Sequence, residues 1–459
     1  MGFLTPMDSA FLMMEGREHP MHVGGLQLYE PPEDAGPDYA RQVYDYLLAH
    51  TETRPLYRSR PAFPVGSLGQ IRMVVDPEVD LDYHVRLSAL PRPGRIRELL
   101  ALVSRTHSGL LDRYRPLWEM HVIEGLEGGR LGIYTKIHHS MMDGVSAMKE
   151  LERSLSPDPT VRDCPAPWSP RTRRRHPRPP TTPLSMLRDG VGVAGDVAGM
   201  VPAAMRVATL AFGNVDLVAP MRAPHTMFNV GVGGARRFAA QSWPMERLAQ
   251  VARASSTRLN DVVLAMCSGA LREYLIEQNA LPHAPLIAAV PISLRSKDDD
   301  IDNEEAGGGN SVSILLCNLG TDRADPLHRL DVVARSMRQG KEMMRGLSRV
   351  QAMAMGALNV STLAFTQIPG FTRITPPNFN ILISNVPGAS EDLYFNGARL
   401  DGAYPMSIVF DGFALNITLT SRAGHLDFGL IGCRRSVPRL QRMLTHLDDA
   451  LAGLEKAVS

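Results

Sequence analysis

The chain has 459 residues, of which 44% are hydrophobic and 21% charged, a composition typical of a folded globular protein. This length predicts two domains rather than one small core. The 49 basic and 48 acidic residues nearly balance, so the overall charge gives no indication of nucleic-acid binding.

The four cysteines are scattered along the chain and form no Cys-x-x-Cys pair; they are Cys164, Cys267, Cys317 and Cys433. We expect buried free thiols in a reducing compartment rather than a disulfide framework. The first residues lack a basic region followed by an apolar core, and no uncharged apolar run is long enough to span a bilayer. We therefore expect a cytosolic protein, or one that lies peripherally on a membrane or on lipid inclusions.

Hydrophobic periodicity predicts alternating helices and strands in the first part of the chain. In chain order, these are a short helix from Pro6, a strand at 21–29, a helix at 38–50, a strand at 71–76, a helix at 95–111 and a strand at 119–123. Pro-Leu-Trp at 116–118 predicts a corner packed by the indole of Trp118.

Residues 131–137 alternate between apolar and other side chains, as expected of a strand. His139 continues the apolar parity, whereas His138 falls on the opposite face. Asp143 and Gly144 then precede a run with helical spacing. A histidine at an apolar strand end suits a general base, and the aspartate suits a group that fixes the loop or the imidazole tautomer.

Two other interpretations apply to these histidines. A single histidine on an apolar face is more often a structural core residue than a catalyst. A metal site is the second alternative, but neighbouring residues on a strand point to opposite faces, so His138 and His139 are poorly placed to bind one ion. No His-Glu-x-x-His motif is present, and we expect no metal.

The proline-rich and arginine-rich residues 156–183 predict a linker, and residues 184–213 predict an amphipathic helix. The expected division of the chain is an N-terminal domain at 1–155, a linker and connecting helix at 156–220, and a C-terminal domain at 221–459.

The second domain again alternates strands and helices. In chain order, we predict a strand from 236, a helix at 244–255, a helix from 262, a strand at 286–295, a strand at 311–316, helices at 326–345 and 347–366, a strand at 378–384, a strand at 426–432 and a helix at 437–456. Asn260 or Asp261 is expected to cap the helix that follows. Residues 404–421 predict a hairpin with Asp411 and Gly412 at its turn.

His138, His139, Asp143 and Gly144 together resemble the HHxxxDG motif of the CoA-dependent acyltransferase superfamily. That superfamily includes chloramphenicol acetyltransferase, the condensation domains of peptide synthetases, and the bacterial wax ester synthase/diacylglycerol acyltransferases. Further blocks are similar to the last branch and occur in its order: the opening segment with Glu15, Pro-Leu-Trp at 116–118, Leu-Asn-Asp at 259–261, Pro-Ile-Ser-Leu-Arg at 291–295 and Ser-Asn-Val-Pro-Gly at 384–388. The resemblance extends from residue 4 to about residue 432.

The resemblance implies an α/β fold of the α+β type, with two chloramphenicol-acetyltransferase-like domains, each a mixed sheet flanked by helices. An active-site channel would pass between them. The implied reaction moves a fatty acyl group from acyl-CoA to diacylglycerol or a long-chain alcohol, without an acyl-enzyme, a metal or a prosthetic group. Diacylglycerol is favoured by resemblance alone.

The resemblance also implies roles for particular residues. The catalytic group would be His139 with His138 and Asp143. Arg295 would pair with Asp143 and, with Gly144, support the site. Asn260 and Glu15 would lie near the reaction centre as candidate substrate or oxyanion contacts.

Two rival functions remain. One is a condensation-type acyltransferase that uses a carrier-protein thioester, and the other is a non-catalytic lipid-associated scaffold. A serine hydrolase is opposed by the lack of a Gly-x-Ser-x-Gly elbow.

Overall fold

The computed structural model describes residues 4–62, 71–170, 218–293, 312–360 and 370–459, together with 363, 365, 366 and 368. The helices of these residues are α1 (Pro6–Met14), α2 (Tyr39–Leu48), α3 (Pro55–Arg58), α4 (Leu81–His84), α5 (Ile96–Ser108), α6 (Gly144–Glu152), α7 (Met245–Ala254), α8 (Leu259–Glu277), α9 (Pro326–Arg345), α10 (Arg349–Val360), α11 (Phe371–Ile374) and α12 (Arg442–Val458). The strands are β1 (His22–Glu30), β2 (Ser59–Ala62), β3 (Arg72–Val75), β4 (Val85–Ala89), β5 (Trp118–Glu124), β6 (Leu131–His138), β7 (Arg236–Pro244), β8 (Ile287–Ser293), β9 (Val312–Asn318), β10 (Ile381–Val386), β11 (Tyr394–Phe395), β12 (Ala398–Met406), β13 (Leu415–Arg422) and β14 (His425–Cys433).

The first large sheet contains six strands in the order β11-β12-β1-β6-β5-β4. β4 and β5 run parallel, whereas the other neighbouring strands run antiparallel. The sheet is therefore mixed. β2 and β3 form a separate two-stranded sheet.

Strand β6 is buried on both faces, and its alternation decides what each side chain meets. Leu131 and Ile133 belong to a buried cluster that includes Met148 of α6. Tyr134 belongs to a different cluster, with Leu99 of α5. Since successive strand side chains point to opposite faces, this confirms the predicted parity of residues 131–137.

The second large sheet has the order β7-β14-β13-β10-β8-β9. β10 runs parallel to both β13 and β8, and the remaining pairs are antiparallel. Helix α8 is buried along most of its length within the core of this half, because its apolar residues occur on every side of the helix. The predicted fold class, two mixed sheets flanked by helices, is confirmed.

The predicted hairpin at residues 404–421 is wrong. Asp411 and Gly412 do form a tight turn, with a positive φ of 92° at Gly412. The strands on either side then diverge, because β12 pairs with β1 in the first sheet and β13 pairs with β10 and β14 in the second. The chain thus crosses between sheets at this turn, and β12 from the C-terminal half completes the N-terminal sheet.

The beginning of the expected linker packs onto the first half of the molecule. Trp168 is fully buried, donates its indole N–H to the carbonyl of His50 at 2.7 Å, and stacks on Trp118 at 5.2 Å. Residues 171–217, including the expected amphipathic helix at 184–213, lie outside the described residues. The domain bounds at 1–155, 156–220 and 221–459 stay a prediction.

All four cysteines are buried free thiols, as predicted. Within the described part of the chain, no helix combines the length and apolar character needed to cross a lipid bilayer.

Candidate active site

Backbone hydrogen bonds fix the two histidines at the end of strand β6. The N–H of His138 donates to the carbonyl of Leu117 at 2.9 Å, and the N–H of His139 donates to the carbonyl of Met21 at 2.8 Å. Leu117 lies in the Pro-Leu-Trp corner, whose indole is buried and donates to the carbonyl of Tyr57 at 2.9 Å. The corner therefore packs as predicted and also holds the strand end that carries the histidines.

His139 is partly exposed, and its ring stacks on Phe11 of α1 at 4.2 Å with an interplanar angle of 24°. Burial lowers the pKa of His139 below its ordinary value of 6.5, and the negative charge of Asp143 opposes that shift. The imidazole is consequently neutral at pH 7 and able to accept a proton, as a general base must be.

His138 is fully buried, and its hydrogen bonds define its tautomer. The N–H of Ser140 donates to Nδ1 at 3.1 Å, and the hydroxyl of Ser140 lies 2.6 Å from the same atom. Because Nδ1 is an acceptor, the ring proton belongs on Nε2, which faces Oε1 of Glu15 at 3.4 Å. In this arrangement, His138 links the loop after β6 to Glu15, and its membership of the catalytic group stays a prediction.

Glu15 is enclosed by partners rather than open to solvent, with 1% of its side chain exposed. Its Oε1 accepts from the backbone N–H of Met21 at 3.1 Å, and its Oε2 accepts from Nε and Nη2 of Arg113 at 3.2 and 3.1 Å. Burial by itself raises the pKa of Glu15, but the neighbouring imidazole of His138 and the Met21 N–H outweigh it and lower the pKa to about 2.

These contacts define the position of Glu15 more closely than the sequence resemblance does. The resemblance implied a position near the reaction centre, and the structure places the carboxylate directly behind His138. Arg113, which sequence reasoning did not single out, anchors both the carboxylate and the carbonyl of Leu12 in α1. It precedes Pro116 by three residues, but no periodicity or motif of the sequence distinguishes it from other arginines.

A polar layer continues behind His138 on the α5 side of the sheet. His22 pairs with His138 across β1 and β6 and donates from Nε2 to the carbonyl of His107 at 2.7 Å. Nδ1 of His107 lies 2.8 Å from the hydroxyl of Tyr134. Burial, reinforced by the charge of Lys136, lowers the pKa of His107 to about 3. These imidazoles therefore support the site as neutral groups.

Asp143 is the N-cap of helix α6, and its Oδ1 accepts from the backbone N–H of Ser146 at 2.8 Å. Gly144 follows it, and a Cβ added there would meet no atom within 4 Å among the described residues. Arg295 lies outside the described residues, so its pairing with Asp143 stays a prediction. The structure thus joins Asp143 to the start of α6 and, through its charge, to His139.

Asn260 lies in the first turn of α8, not at its cap. The N-cap position is Arg258, whose backbone N–H donates to Oδ2 of Asp261 at 3.2 Å, so the expected cap at Asn260 or Asp261 is wrong. An Asp at the third helical position bonds back to the cap residue in a capping box, and polar spacing alone does not distinguish that arrangement from a cap. Nδ2 of Asn385 donates to Oδ1 of Asn260 at 3.3 Å, which joins the blocks at 259–261 and 384–388. A role for Asn260 as an oxyanion donor stays a prediction.

Among the residues that the structure describes, no group of three or more His, Cys, Asp or Glu side chains is arranged to hold a metal ion.

Two protein-family models match most of the chain. Residues 4–263 match the wax ester synthase/diacylglycerol acyltransferase catalytic domain, and residues 308–455 match the C-terminal domain of the same proteins. The chain belongs to the wax ester synthase/diacylglycerol acyltransferase family.

Individual relatives agree with this placement over the full length. A protein of Mycobacterium tuberculosis (strain ATCC 25618 / H37Rv), named a probable diacylglycerol O-acyltransferase, is 52% identical over 460 residues that cover 100% of both chains. The solved wax ester synthase/diacylglycerol acyltransferase from Marinobacter aquaeolei VT8 is 40% identical, covers 100% of both chains and superposes with a TM-score of 0.79.

A more distant likeness concerns the fold alone. The first condensation domain of the CDA synthetase is 14% identical, with a TM-score of 0.58 over 99% of this chain and 96% of that one. The two-sheet architecture is therefore shared with condensation domains, whereas the full-length sequence match is with the wax ester synthase branch.

Proposed function

We propose that this protein is an O-acyltransferase that moves a fatty acyl group from acyl-CoA to diacylglycerol, and also to long-chain alcohols. The observation that carries the proposal is the neutral, partly exposed His139, held at the end of β6 in a chain whose full-length relatives bear acyltransferase names. Diacylglycerol stands first because the name of the 52% identical relative specifies it.

The proposed chemistry is direct transfer. His139 removes the proton from the acceptor hydroxyl as that oxygen attacks the thioester carbonyl. The tetrahedral intermediate then loses the CoA thiolate, which takes the proton back from His139. An N–H donor near the carbonyl oxygen would stabilise the negative charge of the intermediate, and the Nδ2 amide of Asn260 is the candidate for that contact. Neither a metal nor a prosthetic group takes part.

We also propose that the protein works on a lipid surface, because both acceptors are apolar. Five of the thirteen exposed large apolar side chains in the described residues fall between 353 and 374; they are Met353, Leu358, Phe365, Ile368 and Ile374. Such a concentration is typical of a surface that contacts lipid or another protein. We call this set the apolar patch.

The first test of the catalytic proposal is CoA release from palmitoyl-CoA with dioleoylglycerol or hexadecanol. We expect His139→Ala to lower kcat at least 100-fold, with an unchanged circular dichroism spectrum. Wild-type kcat/KM should be constant above about pH 6.5 and fall in more acidic solution as His139 takes up a proton.

The matched control is His283→Ala, because His283 is exposed on the loop before β8 and its loss should leave the rate unchanged. A folded His139→Ala protein with wild-type activity would exclude the general-base mechanism. Wild-type protein that is silent with both acceptors would favour the carrier-protein or scaffold function instead.

A further inference from the structure

A cavity of about 270 Å³ lies between the beginning of α8 and one side of α9, away from the histidines. Arg338, Lys341 and Arg345 line it from α9, and their spacing places them on one face of that helix. Arg258 and Asp261 line it from the start of α8. We call this cavity the cationic pocket.

The charges of the cationic pocket do not balance. Four cations, Arg258, Arg338, Lys341 and Arg345, line it together with the carboxylates of Asp261 and Glu342. Asp331 and Arg335 of the same helix α9 form an ion pair, but within the described part of the chain none of the four pocket cations has a carboxylate within ion-pairing distance. The excess of positive charge is available to an anion.

Two charged groups of the pocket are partly or wholly withdrawn from solvent, since Lys341 is half-buried and Asp261 is buried. Burial, together with the like charges of Arg258 and Arg345, lowers the pKa of Lys341. Asp261 is 5% exposed, its Oδ1 has no hydrogen-bond partner among the described residues, and burial raises its pKa. A bound phosphate would relieve the repulsion around Lys341. The amino end of the 19-residue helix α8 adds further attraction for an anion.

A chain of contacts connects the pocket to the candidate active site. Asn260, beside the pocket, bonds to Asn385. The loop after β10 then approaches α6, because the N–H of Ala389 donates to Oε1 of Glu152 at 3.2 Å and a Cβ at Gly388 would lie only 2.8 Å from the same oxygen. The other end of α6 is Asp143, four residues after His139.

One segment of this path, helix α6, is comparable in length with the pantetheine arm of CoA. Helix α6 has nine residues and is about 13 Å long. The pantetheine arm of CoA has about as many chain bonds as four residues, so it spans about 14 Å when extended.

We propose that the cationic pocket binds the phosphates of the CoA portion of acyl-CoA, with Arg338 and Lys341 as the principal contacts. The proposal rests on acyl-CoA being the donor. Free phosphate and anionic lipid head groups share this chemistry, and the experiment separates them.

The experiment compares two donors with one acceptor: palmitoyl-CoA, and the palmitoyl thioester of N-acetylcysteamine, which lacks the nucleotide and its phosphates. We expect Lys341→Ala and Arg338→Ala each to lower the ratio of kcat/KM for palmitoyl-CoA to that for the truncated thioester by about tenfold, because each removes a charged hydrogen bond made only with CoA. Arg335→Ala is the matched control and should keep the wild-type ratio, because Arg335 of the same helix pairs with Asp331 and does not line the pocket.

Direct titration of CoA into the same folded proteins separates this proposal from the proposed activity. CoA binding that weakens in Lys341→Ala supports the pocket even if the wild-type enzyme is inactive in the assay. Equal loss with both donors, or unchanged CoA affinity, would overturn the proposal. Binding of inorganic phosphate or of phosphatidylglycerol vesicles that weakens in Lys341→Ala while CoA binding stays intact would overturn it in favour of those anions.

Discussion

The carboxylate of Glu15 is the charged group that fixes the geometry behind the catalytic candidate. It accepts from Arg113 and from the Met21 N–H, and it lies 3.4 Å from Nε2 of His138. Since Met21 also accepts from the N–H of His139, one carboxylate restrains the surroundings of both histidines. Its lowered pKa means that it remains ionised at any physiological pH.

The energetic consequence can be predicted from that pKa. Its value of about 2, against an ordinary 4.5, corresponds to about 3 kcal/mol of folding free energy at neutral pH. Because the folded-state pKa is the lower one, this contribution is complete above about pH 4.5 and is lost as the pH falls toward 2. We expect Glu15→Gln to lower the free energy of unfolding by as much as 3 kcal/mol at pH 7, measured by urea denaturation, and by much less at pH 3.

Glu33→Gln provides the comparison, since Glu33 is exposed and its loss should change stability by less than about 0.5 kcal/mol. A stability difference for Glu15→Gln that stays constant from pH 7 to pH 3 would contradict the assigned ionisation.

At the scale of the element, helix α6 connects the histidine loop to the C-terminal half. Asp143 contributes to it in two separable ways, by capping the helix and by raising the pKa of His139 against burial. The two effects have different chemical requirements, because a cap needs a short side chain that accepts a hydrogen bond, whereas the pKa effect needs a charge.

Substitution can distinguish them. Asp143→Asn keeps an acceptor and loses the charge, so we expect nearly unchanged stability and an acid limb of the pH–rate profile that moves to lower pH. Asp143→Ala should show the same movement and, in addition, a loss of about 1 kcal/mol of stability. Thermal denaturation and kcat/KM between pH 5 and pH 8 measure the two effects. If the acid limb of the pH–rate profile of Asp143→Asn stayed at the wild-type pH, the electrostatic role of Asp143 would be contradicted.

Most helices and strands could be predicted from the sequence, because the spacing of their apolar residues matches the faces that are buried in the structure. Helix α9 begins and ends at the predicted residues, and the strand parity correctly separated His138 from His139. The hairpin prediction was wrong because alternation of apolar residues predicts a strand but does not identify its partner strand. A tight turn such as the one at Gly412 can also connect strands of two different sheets.

The contacts around the candidate site could not be predicted without the three-dimensional fold. Glu15 and Arg113 are 98 positions apart in sequence, and no local pattern reports such a contact. The motif residues could be identified by resemblance, but the tautomer of His138 follows only from the position of Ser140.

At the scale of the whole molecule, the apolar patch defined above should govern attachment to lipid. Ile374 is 82% exposed and Leu358 50% exposed, so each could bury apolar surface in a bilayer, where a full side chain contributes about 1.5–3 kcal/mol. We expect the double variant Leu358→Glu, Ile374→Glu to weaken binding to phosphatidylcholine vesicles by at least tenfold in a sedimentation assay.

Tyr114→Ser is the control for this measurement, because Tyr114 is 85% exposed but lies on the loop before β5. Equal vesicle binding by wild type and the double variant would show that lipid contact is made elsewhere. Activity on a water-soluble thioester and a short-chain alcohol should stay unchanged in the double variant.

The crossing of the chain between sheets has a consequence for biosynthesis. Strand β12 covers the edge of β1, yet it begins 260 residues after the end of β6 in the sequence and is synthesised correspondingly later. Until then, β1 exposes an unpaired edge, which is a site for mispairing with another chain. The edge of β1 in the nascent N-terminal half is therefore open to mispairing until β12 has been synthesised.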